Sequence, residues 1–251
     1  MSAIAIGLVV FALVFGSALL AMFVHSKLPE DHLSSDSKDV VKLGVALIAT
    51  MSALVLSLLV SSAKTAFDTR SNQVVQAAAD IVLLDRALAR YGPETKEARS
   101  LLRQDVAKTV ERFWPENGTK HIAIDPGPSP AEAMYDKVDE LAPQSEEQRS
   151  LRSQALNLAV NVGQLRLLML EHLGSSIPLP FLVILVFWLC IIFASFGLFA
   201  PHNATVIAVL GVCALSVACA IFLIIELDRS FEGLLQVSGT PMRTALAQLG
   251  R

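Results

Sequence analysis

Residues 43–70 read "LGVALIATMSALVLSLLVSSAKTAFDTR". The first part is apolar and uncharged; Lys64, Asp68 and Arg70 then arrive. A helix needs roughly 20 apolar residues to cross about 30 Å of hydrocarbon, and Leu43–Ser62 meets that length. The polar continuation keeps the same helical spacing. Val74, Val75, Ala78, Ile81, Val82, Leu84, Leu88 and Tyr91 recur at intervals that place them on one side of a helix. Gly92-Pro93 is the first stop signal. Span and extension together predict one helix on the order of 70 Å long, at about 1.5 Å per residue. A membrane helix that runs on, unbroken, into a polar one decides the architecture: a bundle of spans continued by a helical body.

Three further apolar runs, Ile4–Val24, Leu179–Ala200 and Ala204–Ile225, have the length of spans. The chain has 251 residues, of which 53% are hydrophobic and 17% charged, and its mean hydropathy is positive. Soluble domains carry about a quarter charged residues. The fold class is therefore an all-α membrane protein with four transmembrane helices and a helical insert between the second and third. No basic residue precedes the first run, and it is too long for a signal-peptide core, so it is expected to be retained as a span. The net charge of −3 offers no basic surface to nucleic acid. Cys190, Cys213 and Cys219 all lie within apolar runs, where Cys acts as a small apolar residue.

Four spans put both termini and the insert on one side of the bilayer. Lys64, Arg70, Arg166, Arg229 and Arg243 lie on that side, and the 201–203 turn "PHN" carries no Lys or Arg. The bias places the termini and insert in the cytoplasm. The opposite loop, 25–42, holds Lys27, Lys38 and Lys42 and weakens it. The expected parts are a first transmembrane hairpin, 1–62; a cytoplasmic helical domain, 63–177; a second hairpin, 178–227; and a cytoplasmic tail, 228–251. Within the insert, a helix is predicted over Glu94–Trp114. A Pro- and Gly-rich loop, "PENGTKHIAIDPGPSP", follows. "SPAE" (Ser129–Glu132) and "SEEQ" (Ser145–Gln148) read as capping boxes, the first with Pro at the opening helical position, the second starting a helix to about Leu173.

"LPEDH", "VVKLGVALIATMSALVLSLLVSSAK", "LLDRALARYGPETKEAR", "SFGLFAPHNATV" and "ELDRSFEGLLQVSGTP" occur in that order. They resemble the bestrophin-like family of bacterial membrane proteins over about residues 25–245. Ser57 stands where that family has a small Gly, and Ser230 where it has Pro. The resemblance implies a distant relation to bestrophins, which are pentameric anion channels with four spans per subunit and a cytosolic helical body. It implies a bacterial inner-membrane protein that is a homo-oligomer in the lipid bilayer, five-fold by analogy, passing inorganic anions such as chloride. The paired Trp that follows the second span of bestrophins is replaced by Ser71-Asn72. Their acidic calcium clasp is absent, so calcium gating does not carry over.

Two groups of residues are candidates for function. On the second span, Thr50, Ser57, Ser61 and Thr65 recur at spacings of seven and four and share a helix face. Leu47, Leu54 and Leu58 lie on a neighbouring face. Lining a pore, the hydroxyls could donate to an anion and the leucines could gate by dewetting. Small and hydroxyl residues also let membrane helices pack closely, and that reading stays open. The second group gathers where the second and fourth spans leave the membrane: Lys64, Asp68, Arg70, Glu226, Asp228 and Arg229. An acid at a helix C-terminus opposes the macrodipole at a cost of about 0.3–1 kcal/mol, so Glu226 needs a partner or water. Arg229, Lys64 and Arg70 are the candidate partners, in a salt-bridge cluster locking the helix ends or in an ion-path or hinge site at the inner mouth; plain solvation of these charges is the third reading.

His25 and His32 are seven residues apart with no tight metal-ligand spacing, "SSDSKD" reads instead as a cap on the start of the second span, and His121, His172 and His202 are isolated. No nucleophile–base order, phosphate loop or zinc-protease motif occurs, so neither an enzyme nor a cofactor nor a metal site is expected. The alternative to a channel is a non-conducting membrane-anchored helical scaffold or sensor, since the span interiors hold almost no ionisable groups.

Overall fold

The structure is a computed structural model, and it describes residues 2–25, 35–115, 130–171, 179–201, 203–231 and 233–250. Eight α-helices run through the described residues: α1 (Ala3–His25), α2 (Ser35–Tyr91), α3 (Lys96–Phe113), α4 (Pro130–Asp139), α5 (Glu146–Glu171), α6 (Leu179–Phe199), α7 (Ala204–Asp228) and α8 (Thr240–Gln248). Among those residues there is no strand. Helices α1, α6, α7 and the stretch from Asp39 along α2 are long and apolar enough to cross a membrane. The all-α membrane architecture expected from hydropathy is the one observed.

Two helix starts differ from the sequence reading. The stretch 25–42 is not all loop: His25 closes α1, and α2 already begins at Ser35. Its Lys42–Asp39 pair, 3.0 Å apart, is an exposed contact one helical turn long. The helix expected from Glu94 opens instead with a 3₁₀ turn, Pro93–Thr95, before α3. Gly92 reaches φ 143° there, a backbone state that disfavours side chains, and the Thr95 hydroxyl donates to the Leu88 carbonyl at 2.6 Å. The α2 extension ends where Gly92-Pro93 predicts.

The chain divides into two compact units. The span unit comprises Met1–Phe67 and Ser175–Gln236, and the insert unit comprises Asp68–Gly174 and Val237–Arg251. Helix α2 contributes to both.

In the span unit, α1 packs along α6 and α7. Lipid tails are as apolar as Leu, so burying leucine gains little between membrane helices; close van der Waals fit and interhelical hydrogen bonds hold them. Leu185, Leu189, Ile192 and Phe193 of α6 fill most of the contact, and small residues close it where the backbones meet. A methyl group at Gly197 of α6 would run into the Ala18 backbone of α1, and Ala18 is fully buried. One helical step away, the Ser17 hydroxyl lies within hydrogen-bond distance of the Val14 carbonyl, 2.7 Å, and of the Cys190 carbonyl across the interface, 3.1 Å. On α7, Ala214 and Ala218 are buried, and Phe15 and Phe222 lie over Gly211 and Gly7. From α2, Leu59 and Ala63 reach this core. The Asn203 side chain caps α7 by accepting from the Val206 N–H at 2.8 Å.

The insert unit buries Val74, Ile81, Leu84 and Leu88 of α2 with Leu102 and Val106 of α3, and Met134 and Val138 of α4 are buried too. Of the apolar positions expected to face inward, Val75 is exposed. The "SEEQ" capping box forms in modified register. Ser145 accepts from the Gln148 N–H at 3.1 Å, but the Gln148 side-chain oxygen accepts from the Gln144 N–H, one residue earlier than the motif requires. Ser129 of "SPAE" lies outside the described residues, as does most of the Pro-rich loop; α4 does start at Pro130.

Residues 237–250, read from sequence as part of a tail, fold within the insert unit. The Trp114 indole N–H donates to the Val237 carbonyl at 2.7 Å, and Arg243 donates to the Trp114 carbonyl at 3.0 Å. Gly239 fits against the Trp114 ring, with no room for a side chain. Beyond α8, Arg103 donates to the Leu249 carbonyl at 3.1 Å. The Asp85 carboxylate accepts from Arg99 at 2.7 and 2.9 Å and from the Gly250 N–H at 3.4 Å.

Candidate functional site

All six pore-lining candidates on α2, namely Thr50, Leu54, Ser57, Leu58, Ser61 and Thr65, are exposed on the single chain. Leu54 is 73% exposed and Leu58 64%, and Leu43 and Leu47 continue the same surface. Residues on the opposite side of the helix, Ser52, Leu59 and Ala63, are buried. Ser52, which falls off the hydroxyl stripe, donates to the Ile48 carbonyl at 2.8 Å and so serves packing. The stripe itself therefore does not pack against α1, α6 or α7. Thr50 donates its hydroxyl proton to the Leu47 carbonyl at 2.8 Å. To meet an anion, that hydroxyl would have to rotate away from its own helix.

The helix-end charges fall in two units and are described separately. Lys64, Glu226, Asp228 and Arg229 belong to the span unit, and Asp68 and Arg70 to the insert unit. Lys64 is exposed, with its ammonium 5.8 Å from the Phe67 ring centroid, and Asp68 is exposed. Arg70 is 2% exposed. Glu226 and Asp228 are each 4% exposed, at the end of α7.

Glu226 shows where its charge goes. Its Oε2 accepts from the backbone N–H of Leu234 at 2.9 Å and of Leu235 at 3.4 Å. The chain leaves α7 at Asp228, turns, and comes back to the level of the last helical turn. Gly233 makes the reversal possible: its φ is 91°, and a methyl group there would strike the Glu226 carboxylate. Among protein partners for Glu226, sequence reasoning names only cationic side chains and misses this pairing. The available signal was an acid at a helix end followed, seven residues on, by Gly in "ELDRSFEG". Ser230, where the related pattern has Pro, donates to the Leu227 carbonyl at 2.9 Å and satisfies one of the orphan carbonyls of the helix end.

The order of the motifs points to one family. Residues 12–242 match the bestrophin-like domain. The chain belongs to the bestrophin-like family. No curated protein and no solved structure matches it. The match spans the stripe on α2 and the Glu226 turn of this bestrophin-like chain.

Two buried acids in the insert unit are charge-paired. Asp85 holds Arg99, and its hydrogen bond raises the guanidinium further above its ordinary value. Asp105 accepts from Arg166 at 2.7 Å, yet burial outweighs that cation and raises the Asp105 carboxyl above its usual range. An open cleft of about 490 Å³ separates α2 from α8, between Val75, Ala79 and Val82 on one side and Pro241, Thr244 and Gln248 on the other. None of the cleft's lining residues is ionisable, so it offers no acid–base chemistry. Among the described residues, no group of three or more His, Cys, Asp or Glu is placed to hold a metal ion. His32, His121, His172 and His202 lie outside the described residues.

Proposed function

We propose that this bestrophin-like protein is a homo-oligomeric ion channel of the bacterial inner membrane that passes anions such as chloride, with α2 lining the pore. The observation that carries this reading is the outward face of α2. A hydroxyl stripe and a leucine row, on the one span that continues out of the membrane, are exposed on the single chain. Around a symmetry axis, Thr50, Ser57, Ser61 and Thr65 would offer neutral donors. Such donors hold an anion weakly enough to release it, and Leu54 with Leu58 would form an apolar constriction that closes by dewetting. The termini and the 63–177 insert face the cytoplasm in this reading. Lys64, Asp68, Arg70, Glu226, Asp228 and Arg229 then stand at the inner end of the spans. Pentameric stoichiometry is the analogy drawn from bestrophins.

Purified protein in planar bilayers should give single-channel current with anion over cation selectivity. Native mass spectrometry should give a closed oligomer. Ser57→Leu and Ser61→Leu should abolish the current and leave the oligomer intact. A monomer, or silence across pH and voltage, overturns the reading. The second reading, a membrane-anchored scaffold, is favoured by α1 and α6, which contain no Asp, Glu, Lys or Arg. A stoichiometric cytoplasmic partner recovered by crosslinking, together with silence in bilayers, would establish it instead.

A further inference from the structure

The turn after α7 presents two leucines. Leu234 is 74% exposed and Leu235 41%, at a point where a solvated turn would carry polar residues. Their backbone is fixed. The N–H groups of both donate to Glu226, and the Gly233 carbonyl accepts from the Gln236 side chain at 2.9 Å. Backbone groups entering hydrocarbon have no water to bond, so a turn can approach lipid only if its polar groups are met by protein. Three of the turn's backbone groups are met in this way, which suits the lipid–water interface rather than the hydrocarbon core. The same pairing explains how Glu226 lies at the edge of an apolar helix: its charge is shared with two N–H donors rather than left against lipid.

The depth of the turn follows from the pairing. Leu234 is bonded to the side chain of residue 226, one helical turn beyond Leu223, which is 42% exposed on the outer surface of α7. Earlier on the same helix, Val212 and Leu215 are 64% and 53% exposed, so the apolar outer surface of α7 extends down to the turn. We infer that the 233–235 turn is a bilayer anchor: Leu234 and Leu235 sit in the lipid interface, continuing the lipid-facing surface of α7, and the Glu226 carboxylate holds them at that depth. The occupant of this patch is lipid. A second copy of the chain is the competing occupant, and the test separates the two.

The test uses the full chain with Cys190, Cys213 and Cys219 replaced by Ala, in nanodiscs of phosphatidylcholine and phosphatidylglycerol. A nitroxide is placed at Leu234→Cys, and its collision rates with oxygen and with a water-soluble nickel chelate are compared. Leu215→Cys serves as lipid reference and Arg90→Cys, whose side chain is 72% exposed, as aqueous reference. The oxygen-to-nickel ratio at 234 should lie within about two-fold of the lipid reference. A ratio matching the aqueous reference, or a site shielded from both reagents as under a second copy, overturns the proposal. Adding Glu226→Ala should move the ratio toward the aqueous value without changing it at 215. A ratio at 234 unmoved by that change overturns the part assigned to Glu226.

Discussion

The two units of this chain are held together by different means. In the span unit the tightest contact is shape: Gly197 meets the backbone of Ala18, with one hydroxyl bridge from Ser17 to Cys190 beside it. In the insert unit apolar burial is fastened by directional polar contacts, Asp85 with Arg99, Asp105 with Arg166, and Trp114 with Val237. The difference follows from the solvent. Water rewards apolar burial in the insert unit and leaves polar clips to select one arrangement. Lipid gives no such reward, so close fit must do the selecting. Each unit should therefore fail in its own way.

The largest effect is expected from Gly197→Ala. A methyl group at that position clashes with backbone, which cannot rotate away, so α1 and α6 must separate. Overpacking of this kind costs about 1–3 kcal/mol or more. Thermal stability in detergent should fall and Cys190, half-buried on α6 beside the Ser17 bridge, should label faster, while the proteolytic pattern of the insert stays as in the parent. A changed insert pattern would show that the two units do not fail separately.

Asp85→Ala should do the reverse. It leaves the Arg99 guanidinium, 21% exposed, without its bidentate partner, and frees the Gly250 N–H. Breaking a fully buried pair costs about 3–5 kcal/mol; partial exposure of Arg99 reduces this to about 2. Limited proteolysis should open the insert unit, with Cys190 labelling unchanged. Trp114→Phe removes one hydrogen bond to Val237 while keeping most of the ring, and about 1 kcal/mol is expected in chemical denaturation of the insert. A loss as large as that of Asp85→Ala would assign the docking of 237–250 to the indole rather than to the ion pair.

The smallest effect is a pH dependence. Folding raises the Asp105 carboxyl, so the folded chain holds that proton at a pH where the unfolded chain has lost it. The Asp105 contribution to stability is therefore fully present below the ordinary carboxylate value of about 3.9. It declines as pH rises through the raised value. Asp105→Asn should remove that declining limb from the stability–pH curve. An unchanged slope would show that Arg166 dominates after all.

The spans were legible because a run of about 20 apolar residues has few other readings. Tyr91 as the end of α2 was legible because Gly-Pro leaves the backbone no helical continuation. The start of α2 was legible only in part: "SSDSKD" could be read as its cap, but hydropathy alone leaves Ser35–Asp39 in the loop. Gly197 could be recognised as small, but nothing in its neighbours names Ala18 as the residue it meets. The stripe on α2 could be drawn from spacing alone; that it faces outward depends on which side Leu59 and Ala63 turn to the core. Glu226 was visible as an anomaly. Its resolution lay in backbone N–H groups, which every residue except proline carries and which leave no trace in side-chain identity.

Residues 237–250 complete the insert unit, yet the ribosome makes them after the third and fourth spans. Asp85 waits for Gly250 through the synthesis of 164 intervening residues, and Trp114 for Val237 through 122. During that interval two apolar helices must enter the bilayer. The body between the second and third spans therefore gains its contacts with 237–250 only after the fourth span has been made.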